Sequence, residues 1–207
     1  MALLLSLGAF GIVALLAAMS PGPDFLVVSK NSVGHSRKIG VMTALGVAAG
    51  NCVHVTYTVI GIGLIIASSV LLFSAIKLAG AVYLVYLGVH LMTEKQDLAE
   101  TALPASAPLS AWAAFRQGFF TNVLNPKATL FFISVFSQFV SPSLPFSVRT
   151  LFGVEAVTVI GLWFVVLAVV LTFPLMRALI GKVQQRVLKF MGAALLLLGV
   201  KVALSSN

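Results

Sequence analysis

The chain has 207 residues, of which 60% are hydrophobic and 9% are charged, and its net charge is +8. Soluble domains carry about 25% charged residues, so this composition excludes an ordinary soluble protein and indicates a membrane protein. The positive charge does not indicate a nucleic-acid-binding surface, because the basic residues concentrate in the short loops between apolar segments.

Six apolar segments are long enough to cross a bilayer, which takes about 20 residues. They are 2–29, 39–67, 70–92, 112–140, 148–174 and 185–204. Little of the chain lies outside them, so we expect any function to reside within the helical bundle. The sequence therefore predicts an all-α membrane protein with six transmembrane helices embedded in the lipid bilayer.

The first apolar segment is interrupted by Ser20, Pro21, Gly22 and Pro23, directly before Asp24. Proline removes a backbone donor and clashes with the preceding turn, so the helix must break there. In lipid, a break is tolerated only where the freed backbone lines a cavity enclosed by protein. An ionisable residue at that depth is costly, which indicates a functional role for Asp24.

In the second segment, Asn51, His54 and Thr58 have the spacing of one helix face. Asn51 is a candidate binding residue. His54 and Thr58 have two interpretations, since they could line a cavity or form hydrogen bonds between helices. The neighbouring Cys52 is the only cysteine, which excludes a disulfide within one chain.

The fourth segment breaks at Asn125-Pro126-Lys127 and so repeats the pattern of the first. A small polar residue before proline suits an N-cap followed by proline at the first helical position. We therefore expect a helix restart at Ser20-Pro21 and another at Asn125-Pro126. Paired broken helices in corresponding halves of a chain indicate the binding site of a transporter.

Lys127 is unusual because a cation at a helix start opposes the helix dipole. It should need an anionic neighbour, for which the candidates are Asp24, Glu155 and the carboxylate of a substrate. The alternative is a permanent pair of Asp24 with Lys127 that only holds the bundle together.

Glu155 lies about two turns inside the fifth segment, by the rise of a helix, and is a candidate for proton coupling together with Asp24. The alternative interpretation is that its side chain reaches the membrane surface near Arg149.

The two halves of the chain resemble each other beyond the breaks. Asn51 corresponds to Glu155, and the segment from Lys77 to Ala81 resembles that from Lys189 to Ala193. A duplicated unit of three spans must insert its second copy upside down. The sequence thus predicts a 3+3 inverted repeat: residues 1–92, a linker at 93–111, and residues 112–207. Helices 1 and 4 are broken, at Pro21-Pro23 and at Pro126 respectively.

The basic residues predict the orientation in the membrane. Cytoplasmic loops carry an excess of lysine and arginine, so the odd-numbered loops should be cytoplasmic and both termini outside. Nine of the 13 basic residues lie in or beside those loops: Lys30, Arg37, Lys38, Lys95, Arg116, Arg177, Lys182, Arg186 and Lys189.

Motifs for catalysis are absent from the sequence. There is no HxxxH or CxxC pattern, no GxxxxGK[ST] loop and no nucleophile–base pair. We therefore expect a protein that is not an enzyme and that uses neither a metal nor a cofactor. Its driving force would come from an ion gradient or from a separate energising subunit.

The chain resembles the LysE/RhtB family of bacterial amino-acid exporters over essentially its whole length, and the homoserine/threonine efflux branch in particular. The combination of the two breaks is the specific part of the resemblance. Its motifs are Ser20-Pro21-Gly22-Pro23-Asp24, Ser36-Arg37-Lys38, Gly80, Asn122-Val-Leu-Asn125-Pro126-Lys127 and Val154-Glu155.

The resemblance implies an exporter of amino acids or their derivatives in the bacterial inner membrane, driven by the proton gradient. The expected site consists of Asp24 for the substrate ammonium, Lys127 for its carboxylate, and Asn51 and Asn125 beside them. Export of a cation or another small metabolite is the alternative, although a cation would want more acidic, histidine or cysteine ligands. Association of several copies into a homo-oligomer stays open.

Overall fold

The computed structural model describes residues 1–93, 108–140 and 144–204, and these residues form helices and turns without a strand. Most of the predicted linker, including Lys95, lies outside the described residues. The all-helical architecture is confirmed for them. The helices are α1 (Ala2–Met19), α2 (Pro23–Gly34), α3 (Arg37–Ser68), α4 (Val70–Thr93), α5 (Ala111–Val123), α6 (Pro126–Phe139), α7 (Phe146–Val170) and α8 (Pro174–Leu204).

Three of these helices, α3, α4 and α7, are each long and apolar enough to cross a membrane. Two bent pairs pass the same test when each is counted as one span: α1 with α2, at 61°, and α5 with α6, at 56°. The described residues thus contain three to five candidate spans. The predicted sixth span, 185–204 within α8, stays a prediction.

The two bends lie where proline predicts them, and we call residues 20–22 the first break and residues 124–125 the second break. At the second break Asn125 is the N-cap and Pro126 begins α6, as expected. At the first break the expectation was wrong, because α2 begins at Pro23 with Gly22 as its N-cap. A proline disfavours helical backbone in the residue before it, so Gly22 cannot continue a helix begun at Pro21.

Ser20 consequently has a different place from the expected N-cap. It is the C-cap of α1, and its hydroxyl donates to the carbonyl oxygen of Ala17 at 2.5 Å. A further correction concerns the end of the fifth predicted span, since α7 ends at Val170 and α8 begins at Pro174. Proline suits a first helical position, and the basic segment predicted as a loop is therefore helical.

Aromatic packing joins α1, α6 and α7. The ring of Phe10, which is fully buried, makes edge-to-face contacts with Phe136, Phe139 and Phe152, with centroids 5.1–5.6 Å apart. Such pairs stabilise by about 0.5–1.5 kcal/mol beyond the burial of their area. Phe10 of α1 thus connects α1 both to α6 and to α7.

Glycine allows α3 and α5 to touch through their backbones. A Cβ atom added at Gly118 would overlap the carbonyl oxygen of Thr43, and one added at Gly46 would overlap that of Phe115. Small residues at such crossings are typical of membrane helices. The contact brings the second break beside the middle of α3, where Asn51 lies.

We expect Gly46→Ala to destabilise the protein by about 2 kcal/mol, because overpacking a tight contact costs about 1–3 kcal/mol. The measurement is the thermal unfolding midpoint in detergent. Gly61→Ala is the matched control on the same helix, since a Cβ there meets nothing within 4 Å. Removing that helical glycine should stabilise α3 slightly. Equal midpoints for the two variants would contradict the close contact.

Candidate functional site

A cavity lies between the two breaks, inside the bundle. About 40 Å³ of it can hold the centre of a water molecule. The lining residues are Ala17, Ala18, Ser20, Gly22, Asp24, Phe25, Asn51, Asn125, Lys127, Ala128, Phe131, Phe132, Ile160 and Phe164.

Asp24 is the acidic group of the cavity and lies, buried, in the first turn of α2. Its Oδ2 accepts hydrogen bonds from the side-chain amides of Asn122 and Asn125, each at 2.9 Å. Its Oδ1 is buried and has no hydrogen-bond partner among the described residues. Buried carboxylate oxygens are rarely left so. Asp24 therefore has an acceptor available for a donor that enters the cavity.

Lys127 is the basic group of the cavity and lies in the first turn of α6. Its ammonium donates to the carbonyl oxygens of Ser20, at 3.2 Å, and Pro21, at 2.6 Å, and also to the Ser20 hydroxyl. Carbonyls at the end of a helix carry partial negative charge. The end of α1 thus supplies the electronegative partner that a lysine at the start of α6 requires.

The first break accommodates this lysine because of Gly22. A Cβ atom added there would lie 3.2 Å from both Cδ and Nζ of Lys127, which is tighter than an ordinary contact. Asp24 and Lys127 both line the cavity. The two breaks therefore present groups of opposite charge to one cavity.

Asn125 connects the second break to Asp24. As N-cap, its Oδ1 accepts from the backbone N–H of Lys127 at 3.0 Å, while its Nδ2 donates to Asp24. The helix cap fixes which side-chain atom is the oxygen, and so leaves the amide N–H for the carboxylate. One residue thereby both starts α6 and orients the acid.

Asn122 is a site residue that the sequence reasoning did not select, although it stands in the motif behind the family resemblance. Its Nδ2 donates to Asp24 and, at 3.2 Å, to Oδ1 of Asn51. Its Oδ1 and the Nδ2 of Asn51 are buried without a partner in the described part of the chain. The spacing of Asn122 and Asn125, three residues apart before a restart, was the available signal.

His54 lies beside the cavity and does not line it. Its Nε2 is 2.9 Å from the carbonyl oxygen of Asn122, and its Nδ1 is 2.5 Å from the Tyr57 hydroxyl. A carbonyl only accepts, so Nε2 carries a proton. The imidazole also stacks on Phe132, 5.6 Å away. His54 thus ties α3 to the end of α5 and to α6.

Thr58 follows His54 by one turn on α3 and is buried. It does not line the cavity, and its Oγ1 has no hydrogen-bond partner within residues 1–93, 108–140 and 144–204. The polar face of α3 therefore contributes one residue, Asn51, to the cavity.

Glu155 is half-buried on α7 and faces α1. A Cβ atom added at Gly11 would lie 2.7 Å from its Oε1, and its Oε2 is buried with no partner in the described segments. Glu155 does not line the cavity, but Ile160, about 7.5 Å further along the same helix, does. The structure therefore brings Asp24, Asn51, Asn125 and Lys127 together at one cavity. It places Glu155 one to two helical turns before Ile160, the nearest residue of the cavity lining on α7.

Within the described residues, no group of three or more histidine, cysteine, aspartate or glutamate side chains could hold a metal ion. The polar groups of the cavity include one carboxylate, one ammonium and two side-chain amides. This donor set suits a small organic molecule that carries both charges.

Known proteins similar to this chain include membrane proteins and efflux proteins. The family described as LysE type translocator matches residues 13–206. The threonine efflux protein of Escherichia coli K12 is 33% identical over 93% of this chain and 95% of its own length. An uncharacterized membrane protein of Bacillus subtilis, YrhP, is 31% identical over 97% and 99%. The leucine efflux protein of Salmonella choleraesuis is 34% identical over 64% and 62%. No solved structure matches significantly.

Proposed function

The chain belongs to the LysE-type translocator family, a family of membrane transporters, and from that premise we propose that it exports amino acids across the bacterial inner membrane in exchange for protons. The substrates would be homoserine- or threonine-like or other small amino acids. The relatives named for threonine and leucine efflux support this substrate class. The protein acts as a transporter and not as an enzyme.

One observation carries the proposal: the two breaks present a carboxylate and an ammonium to the same cavity. A zwitterionic amino acid is complementary to that pair. Its ammonium would donate to Oδ1 of Asp24, which lacks a hydrogen-bond partner among the described residues, and its carboxylate would bind the ammonium of Lys127. The amides of Asn51 and Asn125 lie beside these positions.

Substrate binding would also loosen a contact between the two halves. The Lys127 ammonium already donates to three oxygen atoms of the first break, and an ammonium has three donors. A substrate carboxylate must therefore replace at least one of them. Occupancy of the site would in this way weaken the attachment of α6 to the end of α1.

The transport cycle rests on an inverted repeat of six spans, with residues 1–92 and 112–207 as the two units and both termini outside. Three pairings of helices support it. In an inverted repeat the pair α3 with α5 is equivalent to the pair α7 with α1, and both pairs are in contact. The third helices of the two units, α4 and α8, pack on each other near Gly88 and Gly192. The repeats would rock about the cavity and expose it alternately to each side.

Proton coupling is assigned to Asp24 and Glu155. In the proposed orientation the starts of α1 and α7 face outside, so Glu155 lies between the outer surface and the cavity. A proton that reaches Asp24 neutralises the partner of the substrate ammonium and favours release. Each proton supplies about 2.3 kcal/mol per 100 mV, and about 1.4 kcal/mol corresponds to a tenfold gradient.

A test of the proposal uses purified protein in liposomes with an acidic lumen. Protons leaving the lumen should drive labelled threonine or leucine inward, with about tenfold accumulation per pH unit for each proton exchanged. Glu155→Gln should lose this accumulation. It should keep counterflow at equal pH, because Glu155 does not line the cavity.

Empty liposomes and a dissipated gradient are the controls. Accumulation that does not depend on the pH difference would contradict proton exchange. Undiminished accumulation by the Glu155→Gln variant would remove that residue from the coupling.

A further inference from the structure

The polar side chains that line the cavity come from the two breaks, from the helix starts that follow them, and from the part of α3 that faces them. Ser20 and Asp24 come from the first break and the start of α2, Asn125 and Lys127 from the second break and the start of α6, and Asn51 from the facing part of α3. These groups are the ones that the proposed function uses for the two charges that every amino acid shares.

The rest of the lining carries only hydrocarbon side chains. Ala17 and Ala18 precede the first break on α1, Phe131 follows the second break by more than one turn on α6, and Ile160 and Phe164 come from α7. All five are at least nine-tenths buried. The lining that α1, α6 and α7 contribute beyond the breaks thus offers a ligand no side-chain hydrogen bond and no charge.

We infer that this apolar lining receives the substrate's side chain, and that among the small amino acids of the proposed function the transporter prefers aliphatic ones over homoserine and threonine, and rejects those with charged side chains. The inference rests on the proposed function, because the two charged groups must first fix the ammonium and the carboxylate. Valine and threonine are the sharpest comparison, since they have nearly the same shape and differ by a methyl and a hydroxyl.

A hydroxyl in this part of the cavity would lose its hydrogen bonds to water without gaining one from a side chain. Burying such a group is unfavourable in proteins, and a hydrophobic pocket rejects a hydroxylated isostere by about 100-fold at best. We expect the wild-type protein to favour valine over threonine by about 10- to 100-fold in apparent affinity. Lysine and glutamate should fail to compete.

The test measures counterflow of labelled valine in proteoliposomes at equal pH, with unlabelled valine, threonine, lysine and glutamate as competitors. Ile160→Val and Ile160→Thr are a matched pair of variants at one residue of the cavity lining. The valine and threonine side chains that they introduce have nearly equal volume and differ by a hydroxyl. The Ile160→Thr variant should lower the preference for valine about 3- to 10-fold relative to Ile160→Val, the value of one hydrogen bond.

Preference for threonine in the wild-type protein, or identical ratios in the two variants, would overturn the inference. If all four amino acids are transported equally and Asp24→Asn stops them, the charged site is right and the side-chain assignment is wrong. If no amino acid exchanges at all, the proposed function fails together with the inference.

Discussion

Asp24→Asn is expected to lower amino-acid counterflow about 30-fold or more, even at equal pH on both sides. The amide has the same shape as the carboxylate and keeps an oxygen that can accept from Asn122 and Asn125. It lacks the negative charge that would bind the substrate ammonium. Removing one partner of a buried charged pair costs about 2–5 kcal/mol, which corresponds to about 30-fold or more.

The measurement is initial-rate counterflow of a labelled amino acid over a range of concentrations. Glu155→Gln is the matched control, because it makes the same chemical change in a carboxylate that does not line the cavity. The thermal midpoint of the Asp24→Asn variant should stay close to that of the wild type. Normal counterflow by a folded Asp24→Asn variant, with only pH-driven accumulation lost, would limit Asp24 to proton coupling.

The positions of the two breaks were predictable because the effect of proline is local. Pro21, Pro23 and Pro126 remove donors and clash with the preceding turn wherever the chain places them. The sequence analysis placed the restart at Pro21 and not at Pro23. Yet Pro23 disfavours helical backbone at Gly22, and this rule predicts that the new helix begins only at Pro23. Local rules are therefore sufficient to predict the position of the break. The residue at which the helix restarts follows only when Pro21 and Pro23 are considered together.

The convergence of Asp24 and Lys127 on one cavity was also within reach of the sequence, since both follow breaks in long apolar segments. For Asn122 the only signal was its spacing from Asn125, since its hydrogen bond to Asp24 on α2 also requires the position of α5, which is in close contact with α3. That contact depends on Gly46 and Gly118, whose partners are distant in sequence. Which face of an apolar helix points inward is decided by such packing.

The positions of His54 and Glu155 also depend on contacts between helices. A helix that is apolar on most sides gives little indication of which face points inward, so the sequence left two interpretations for each residue. The structure places His54 against the carbonyl of Asn122 and places Glu155 against Gly11. Neither arrangement follows from spacing along one helix, because each partner lies on a different one.

Lys127→Met is expected to abolish the preference for substrates that carry a carboxylate. Methionine has a similar unbranched side chain but no charge, so the cavity keeps its volume and loses the partner of the carboxylate. We expect counterflow of the amino acid to fall about 30-fold or more, by the same cost of removing one partner of a charged pair. The measurement compares inhibition by valine with inhibition by valinol, which has the ammonium and the side chain but no carboxylate.

In the wild type, valine should inhibit far more strongly than valinol, and in the Lys127→Met variant the two should inhibit about equally. Lys77→Met changes a lysine of α4 that does not line the cavity, and this variant should keep the wild-type ratio.

The double variant Asp24→Asn with Lys127→Met decides whether the two charges bind the substrate or only each other. If they only stabilise the bundle, removing both should restore transport that either single change lost. If they bind the two ends of a zwitterion, the double variant should be at least as inactive as each single variant, because neither end of the substrate then has a partner.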